Sequence, residues 1–208
     1  LELKTKSKNI RWLQEHDYPA NIICTWSLNP QSIIDHEEHL TANLDQRITA
    51  AQHIASKGRL VGFHFHPIVY YQDWIDDYRN ICAEITSLFH PDSVALVSLG
   101  TLTFTRSVMK TIRNRPFTSK ILQMPMEEIA GKFSYPLESK IEMFKTVYEA
   151  LVPWHQEVFF YLCMEAQSLW RPVFGHEYET NVELESAMKT AYFKKIEGLR
   201  KPQQTQQV

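Results

Sequence analysis

Cysteine is scarce in this chain, long apolar runs are absent and neither sign of charge dominates. Each shortage excludes a class of protein. The three cysteines, Cys24, Cys82 and Cys163, stand 58 and 81 residues apart, which gives neither a disulfide framework nor a metal knuckle. They read as buried thiols of a reducing compartment. No run approaches the roughly 18 apolar residues of a spanning helix, and no signal peptide is visible, so the chain reads as soluble and cytoplasmic. A net charge of -2 supplies no global basic field for nucleic acid, which leaves only a local patch open. A Gly-rich phosphate loop, a Walker lysine, a dinucleotide fingerprint and a nucleophile elbow are all missing.

What is present suits a packed core. Apolar residues make up 44% and aromatic ones 12% of 208 residues, enough for one domain or one part of a larger one. Short apolar runs alternate with longer amphipathic ones. The pattern predicts strands at 1–5, 21–26, 60–65, 94–98, 120–123 and 157–162. Helices are predicted at 8–16, 42–57, 73–89, 105–114, 138–152 and 166–174. In 42–57, Leu44, Ile48, Ala51 and Ile54 recur at helical spacing and Gly58 follows as the C′ residue. In 73–89 the stripe is Trp74, Tyr78, Ile81, Ile85 and Leu88, closed by His90 and Pro91.

Strands alternating with helices imply an α/β fold of parallel βα units. About six units are too few for a closed eight-fold barrel. They fit an open sheet, or part of an incomplete TIM-type (βα)6 barrel whose other strands lie upstream. The chain opens inside a strand, Leu1-Glu2-Leu3, without an initiator Met, and is expected to lack its N-terminal part. Residues 1–176 would then be the C-terminal half of the barrel and 177–208 an extension, with 200–208 disordered. A half barrel exposes sheet edge and apolar surface, so poor stability in isolation is expected.

Polar groups gather at the ends of the predicted strands: Thr5-Lys6-Ser7, Ser27 and Asn29, His64 and His66, Ser98 with Thr101, and Cys163 to Glu165. In a parallel sheet or barrel these ends share the rim where ligands bind. Alternation puts His64 and His66 on one face and Phe63 and Phe65 on the other. His64, His66 and Glu165 could hold a metal for hydrolysis, but histidines two apart on a strand are permissive rather than diagnostic, and no protein-ligated metal is expected. The residues alone stop at an α/β rim that binds a polar ligand.

Several segments together resemble one family. They are 3–7 (Leu-Lys-Thr-Lys-Ser), 26–30 (Trp-Ser-Leu-Asn-Pro), 37–41 (Glu-Glu-His-Leu-Thr) with Arg47 and Ala50-Ala51, and 61–69 (Val-Gly-Phe-His-Phe-His-Pro-Ile-Val). Trp74 with Tyr78, 97–102 (Val-Ser-Leu-Gly-Thr-Leu), 140–144 (Lys-Ile-Glu-Met-Phe), 161–165 (Tyr-Leu-Cys-Met-Glu) and Trp170 complete the set. Their order and spacing resemble the later strands of the spore photoproduct lyase family, over nearly the whole chain to about 176.

The resemblance implies a radical S-adenosylmethionine (AdoMet) enzyme on an incomplete (βα)6 barrel. In that family a [4Fe–4S] cluster, held by a Cys-x3-Cys-x2-Cys loop, cleaves AdoMet. The 5′-deoxyadenosyl radical then returns a thymine dimer in DNA to two thymines. A radical so reactive needs a pocket that excludes water. By resemblance Lys6, Ser27, Asn29, His64 and Ser98 would bind AdoMet, and Lys132, Tyr135, Trp170 and Arg171 would face DNA, Tyr135 as a ring against the extruded lesion. The partners implied are damaged DNA and the missing N-terminal half, with no membrane and a monomeric state.

Three departures accompany the resemblance. The cluster loop and the region of the hydrogen-donor cysteine are absent, so this fragment alone is expected to be inactive. Ser134 stands where the family pattern has an arginine, which weakens a phosphate contact. His66 stands where it has an aspartate. The alternative is a non-catalytic nucleic-acid or partner-binding module derived from the same barrel.

Overall fold

The computed structural model describes residues 1–116, 119–129 and 131–200. Along the chain run β1 (Glu2–Thr5), α1 (Arg11–Glu15), β2 (Ile23–Ser27), α2 (Gln31–Glu37), α3 (Leu44–Ser56), β3 (Val61–Ile68) and α4 (Trp74–Leu88). Then come β4 (Val94–Thr101), β5 (Thr103–Thr105), α5 (Arg106–Arg113), β6 (Glu127–Ile129), β7 (Lys132–Ser134) and α6 (Leu137–Ala150). The described chain closes with β8 (Phe159–Leu162), α7 (Trp170–Phe174) and α8 (Asn181–Arg200).

The main sheet has the order β1-β2-β3-β4-β8 and every pair in it is parallel. Each new strand joins the same edge, without the reversal that marks a doubly wound sheet. That winding is the one a partial barrel needs, and it bears out the expected fold class. A small antiparallel sheet, β5-β7-β6, is inserted between β4 and α6.

Hydrophobic patterning explains the layers. All eight residues of β4 are buried, as a central parallel strand covered on both faces requires. Trp26, Phe63, Phe65, Val97, Leu99 and Leu162 fall on one face by register. They form the core with Ile48 and Ile54 of α3, Tyr78 and Ile85 of α4, and Phe144 and Val147 of α6. Helix α3 begins where Asn43 accepts from the Gln46 amide (2.8 Å) and Gln46 Oε1 accepts from the Asn43 amide (3.3 Å), a capping box. It stops before Gly58, whose φ of 70° is a left-handed value that glycine tolerates.

The opposite face is polar toward the strand C-termini and apolar at their starts. There Ile196 of α8 packs on Ile23, Leu60 and Ala95, and Tyr192 meets Phe159 edge-on at 6.2 Å. Lys195 Nζ donates to the Pro91 carbonyl at 2.6 Å.

Several expectations change. Residues 120–123 are not a strand: Lys120–Leu122 is a 3₁₀ turn, because Ser119 Oγ and Glu37 Oε1 capture the amides of Ile121 and Lys120. The 166–174 helix splits into a 3₁₀ turn at Gln167–Leu169 and the short α7. Helix 8–16 shortens to Arg11–Glu15. Helices α2 and α8 and the small sheet are additions. The disorder expected at 200–208 falls outside the described residues except for Arg200, which ends α8.

Candidate functional site

Strand register builds a polar row across the sheet. Ser27 lies beside His64, His64 beside Ser98 and Ser98 beside Tyr161. Ser27, His64 and Ser98 are 1%, 3% and 0% exposed, yet Ser27 Oγ and His64 Nδ1 have no hydrogen-bond partner, and Ser98 Oγ makes only loose contacts with the Tyr161 hydroxyl and the Cys163 thiol. Buried polar atoms are nearly always paired, and each unpaired one costs about 1–3 kcal/mol. The three side chains in register span two strand spacings, roughly 10 Å. Such a row could pair with the donors or acceptors of a polar ligand.

The other imidazole nitrogen explains how the row is oriented. His64 Nε2 is 2.6 Å from Glu2 Oε1 and 3.1 Å from Thr25 Oγ1, and Thr25 itself donates to Glu2 at 2.9 Å. An ionised carboxylate only accepts, so Nε2 carries a proton and Nδ1 is left to the row. Burial pushes the Glu2 carboxyl upward. The hydrogen bond and charge of His64, the Thr25 hydroxyl and the Lys4 charge outweigh it and hold the group below its usual range.

At the C-terminal rim a second network ties the loops together. Glu38 Oε1 accepts from Lys6 Nζ at 2.6 Å and from Asn29 Nδ2 at 2.7 Å. Asn29 Oδ1 accepts from Tyr78 (2.8 Å), whose hydroxyl accepts in turn from the Val69 amide (2.9 Å). Burial raises the Glu38 carboxyl, but the bonds from Lys6 and Asn29, the Lys6 charge and the adjacent Arg47 guanidinium leave it lowered overall. Further along the rim, Glu165 accepts from the amide and hydroxyl of Thr101 at 3.0 and 2.6 Å and from Lys140 Nζ at 2.7 Å.

The structure therefore brings Ser27, His64 and Ser98 to one face of the sheet, with Lys6 and Asn29 at the same C-terminal end. Asn29 is fully buried and serves the rim network. Lys6, half-buried, spends one of its three donors on Glu38. His66 faces Gly100 so closely that a Cβ there would lie 2.6 Å from its ring. Burial first, then the charges of Lys4 and His64, lower its basicity. Sequence reasoning gave no role to Glu2, Thr25, Glu38 or Arg47. Only the alternation along β1 and β2, which puts Glu2 and Thr25 on the His64 face, could have signalled the first two.

The residues expected to face DNA are not gathered. Lys132 is exposed on β7. Tyr135, expected as a lesion-facing ring, is 0% exposed and its hydroxyl accepts from the Tyr70 amide at 3.2 Å. Trp170 is 6% exposed and packs 5.4 Å from Phe174 and from Tyr178. Arg171 is exposed and pairs with Glu177 at 2.9 Å. Among the described residues no group of three or more His, Cys, Asp or Glu side chains could hold a metal ion; His64 is committed to Glu2 and Glu165 to Lys140 and Thr101. No described helix is long and apolar enough to cross a membrane.

Fold and site together define a parallel βα partial barrel with a polar ligand face and rim. The family model described as spore photoproduct lyase matches residues 1–151, and the chain belongs to that family. The spore photoproduct lyase of Clostridium acetobutylicum is 24% identical over 131 residues, 63% of this chain and 38% of that protein. A solved spore photoproduct lyase complexed with dinucleoside spore photoproduct is 21% identical with a TM-score of 0.67. A double mutant of such a lyase with bound AdoMet and dinucleoside spore photoproduct is 19% identical with the same TM-score. Each alignment covers 78% of this chain and 51% of the solved one. The chain thus spans about half the length of these structures, and less of the curated relative.

Proposed function

We propose that this chain supplies the AdoMet-binding face of a DNA-repair lyase of the spore photoproduct type, acting by radical chemistry. The observation that carries this is the buried, in-register row of Ser27, His64 and Ser98, in which Ser27 Oγ and His64 Nδ1 are unpaired. AdoMet fits the donor set. Its carboxylate would meet the two remaining donors of Lys6, and its amino and ribose hydroxyl groups would meet the row. When bound it supplies the hydrogen-abstracting radical of the reaction. The chain's own residues bind it, orient it and keep water from it.

The cysteines of this chain do not fit a [4Fe–4S] cluster: Cys24 and Cys82 are buried in β2 and α4, and Cys163 follows β8. We assign the cluster ligands to protein outside these 208 residues. The substrate proposed is thymine-dimer DNA, by analogy with the ligand of the related structures. The protein is proposed to be cytoplasmic and monomeric.

Isothermal titration of AdoMet into the chain tests the reading. Saturable binding is expected, weakened about tenfold, or 1.4 kcal/mol, by His64→Phe and by Ser27→Ala with Ser98→Ala. Absence of binding to the unmodified chain at millimolar AdoMet would sink it.

A further inference from the structure

A concentration of basic residues follows the C-terminal end of β4. Residues 103–132 carry six Lys or Arg against two Glu, in a chain whose net charge is -2. Helix α5 concentrates them. Met109 and Ile112 are its buried side, and Arg106, Lys110 and Arg113, spaced by four and three residues, share another face. All three are exposed, as are Ser107, Thr111 and Asn114 around them. Lys132 adds a fourth exposed cation beside the helix start, because it pairs in register with Thr105, the α5 N-cap.

The spacing suits one chemistry. From Arg106 to Arg113 the helix rises about 10.5 Å, and a DNA strand carries one phosphate per about 3.4 Å of axis. That length covers about three phosphate steps, so the cations along α5 can reach phosphates of one strand without matching them one to one. Glu128 holds Arg106 at 2.6 and 2.8 Å, so Lys110 and Arg113 form the centre of the surface, with Arg106 available when phosphate competes for it.

Resting on the DNA-repair reading above, we propose that the outer face of α5, with Lys132, is the surface that grips the DNA backbone. This moves the contact from the Tyr135 and Trp170 rings, which are buried, to a helix whose cations are all exposed. Backbone contact of this kind positions the duplex and carries no sequence preference.

Fluorescence anisotropy of a labelled double-stranded oligonucleotide, titrated with the full chain across a salt series, tests this. Lys110→Glu with Arg113→Glu is expected to weaken binding at least tenfold near 50 mM salt and to lower the log–log salt slope by about two. Lys189→Glu with Lys194→Glu, an exposed double reversal in α8, should stay within about twofold of the unmodified chain if the effect belongs to α5 rather than to net charge. Circular dichroism melts should not move in any of these variants. Unchanged affinity and slope in the double variant would overturn this surface and leave the DNA reading standing. No DNA binding by the unmodified chain would remove both.

Discussion

Arg47 Nη2 lies 2.7 Å from Glu38 Oε2, with the arginine side chain 0% and the glutamate side chain 7% exposed. The contact is an ion pair rather than an aligned hydrogen bond, since Glu38 Oε2 has no hydrogen-bond partner. The guanidinium spends its donors on the carbonyls of Ala42 and Ser27 (2.8 Å each) and the Thr41 hydroxyl (2.7 Å). A residue of α3 thereby neutralises the carboxylate that fixes Lys6 and Asn29, and braces the strand end that carries Ser27.

Removing Arg47 leaves a buried carboxylate with one cation and two carbonyls without their donor. Arg47→Met should cost about 3 kcal/mol in urea unfolding and weaken AdoMet binding through a displaced Lys6. Glu38→Gln tests the same network by pH. The Glu38 carboxyl is lowered in the folded chain, so its contribution is complete above the ordinary carboxylate value. It is lost as pH falls through the lowered one. The stability profile of Glu38→Gln should converge on that of the unmodified chain at acid pH and lie below it at neutral pH. Parallel profiles would contradict the network.

The rim also contains a steric relationship that can be measured. A Cβ at Gly100 would lie 2.6 Å from His66 Cδ2 and 3.0 Å from Cγ and Nε2. Gly100→Ala should therefore cost about 1–3 kcal/mol, as overpacking does. His66→Ala in the same chain should recover most of it, a coupling read by a double-mutant cycle. Strictly additive effects would mean that His66 has room to move away.

These relationships mark where sequence reading ends. β3, β4 and α3 announce themselves by periodicity and by breakers such as Gly58, and strand-end residues such as Ser27 and His64 follow from alternation. The small sheet does not, because strands of three residues are too short for a period-two signal. Residues 120–123 carry an apolar pair, Ile121 and Leu122, that a 3₁₀ turn accommodates as readily as a strand. Tyr135 resembles a surface aromatic until Tyr70, 65 residues away, claims its hydroxyl. The Glu2–His64 pair spans 62 residues, a separation at which local patterns say nothing about contact. Helix α8 hides for a further reason: its described buried apolar contact rests on Ile196, with Phe193 and Val182 exposed, so no broad stripe appears.

Ile196 is the buried apolar residue of α8, with Tyr192 and Leu199 partly buried beside it. At 6% exposure it meets Ile23, Leu60 and Ala95 at the start of the sheet, the end away from the polar row. Ile196→Ala should cost about 2 kcal/mol by lost burial and the cavity left behind. Phe193→Ala, at 58% exposure, should change stability by less than about 0.5 kcal/mol. Urea unfolding of both variants separates two pictures of the C-terminal segment. If α8 closes the base of the sheet, only the Ile196 variant loses stability. If the helix is a detachable appendage, neither does, and the apolar patch at Ile23, Leu60 and Ala95 then stands uncovered.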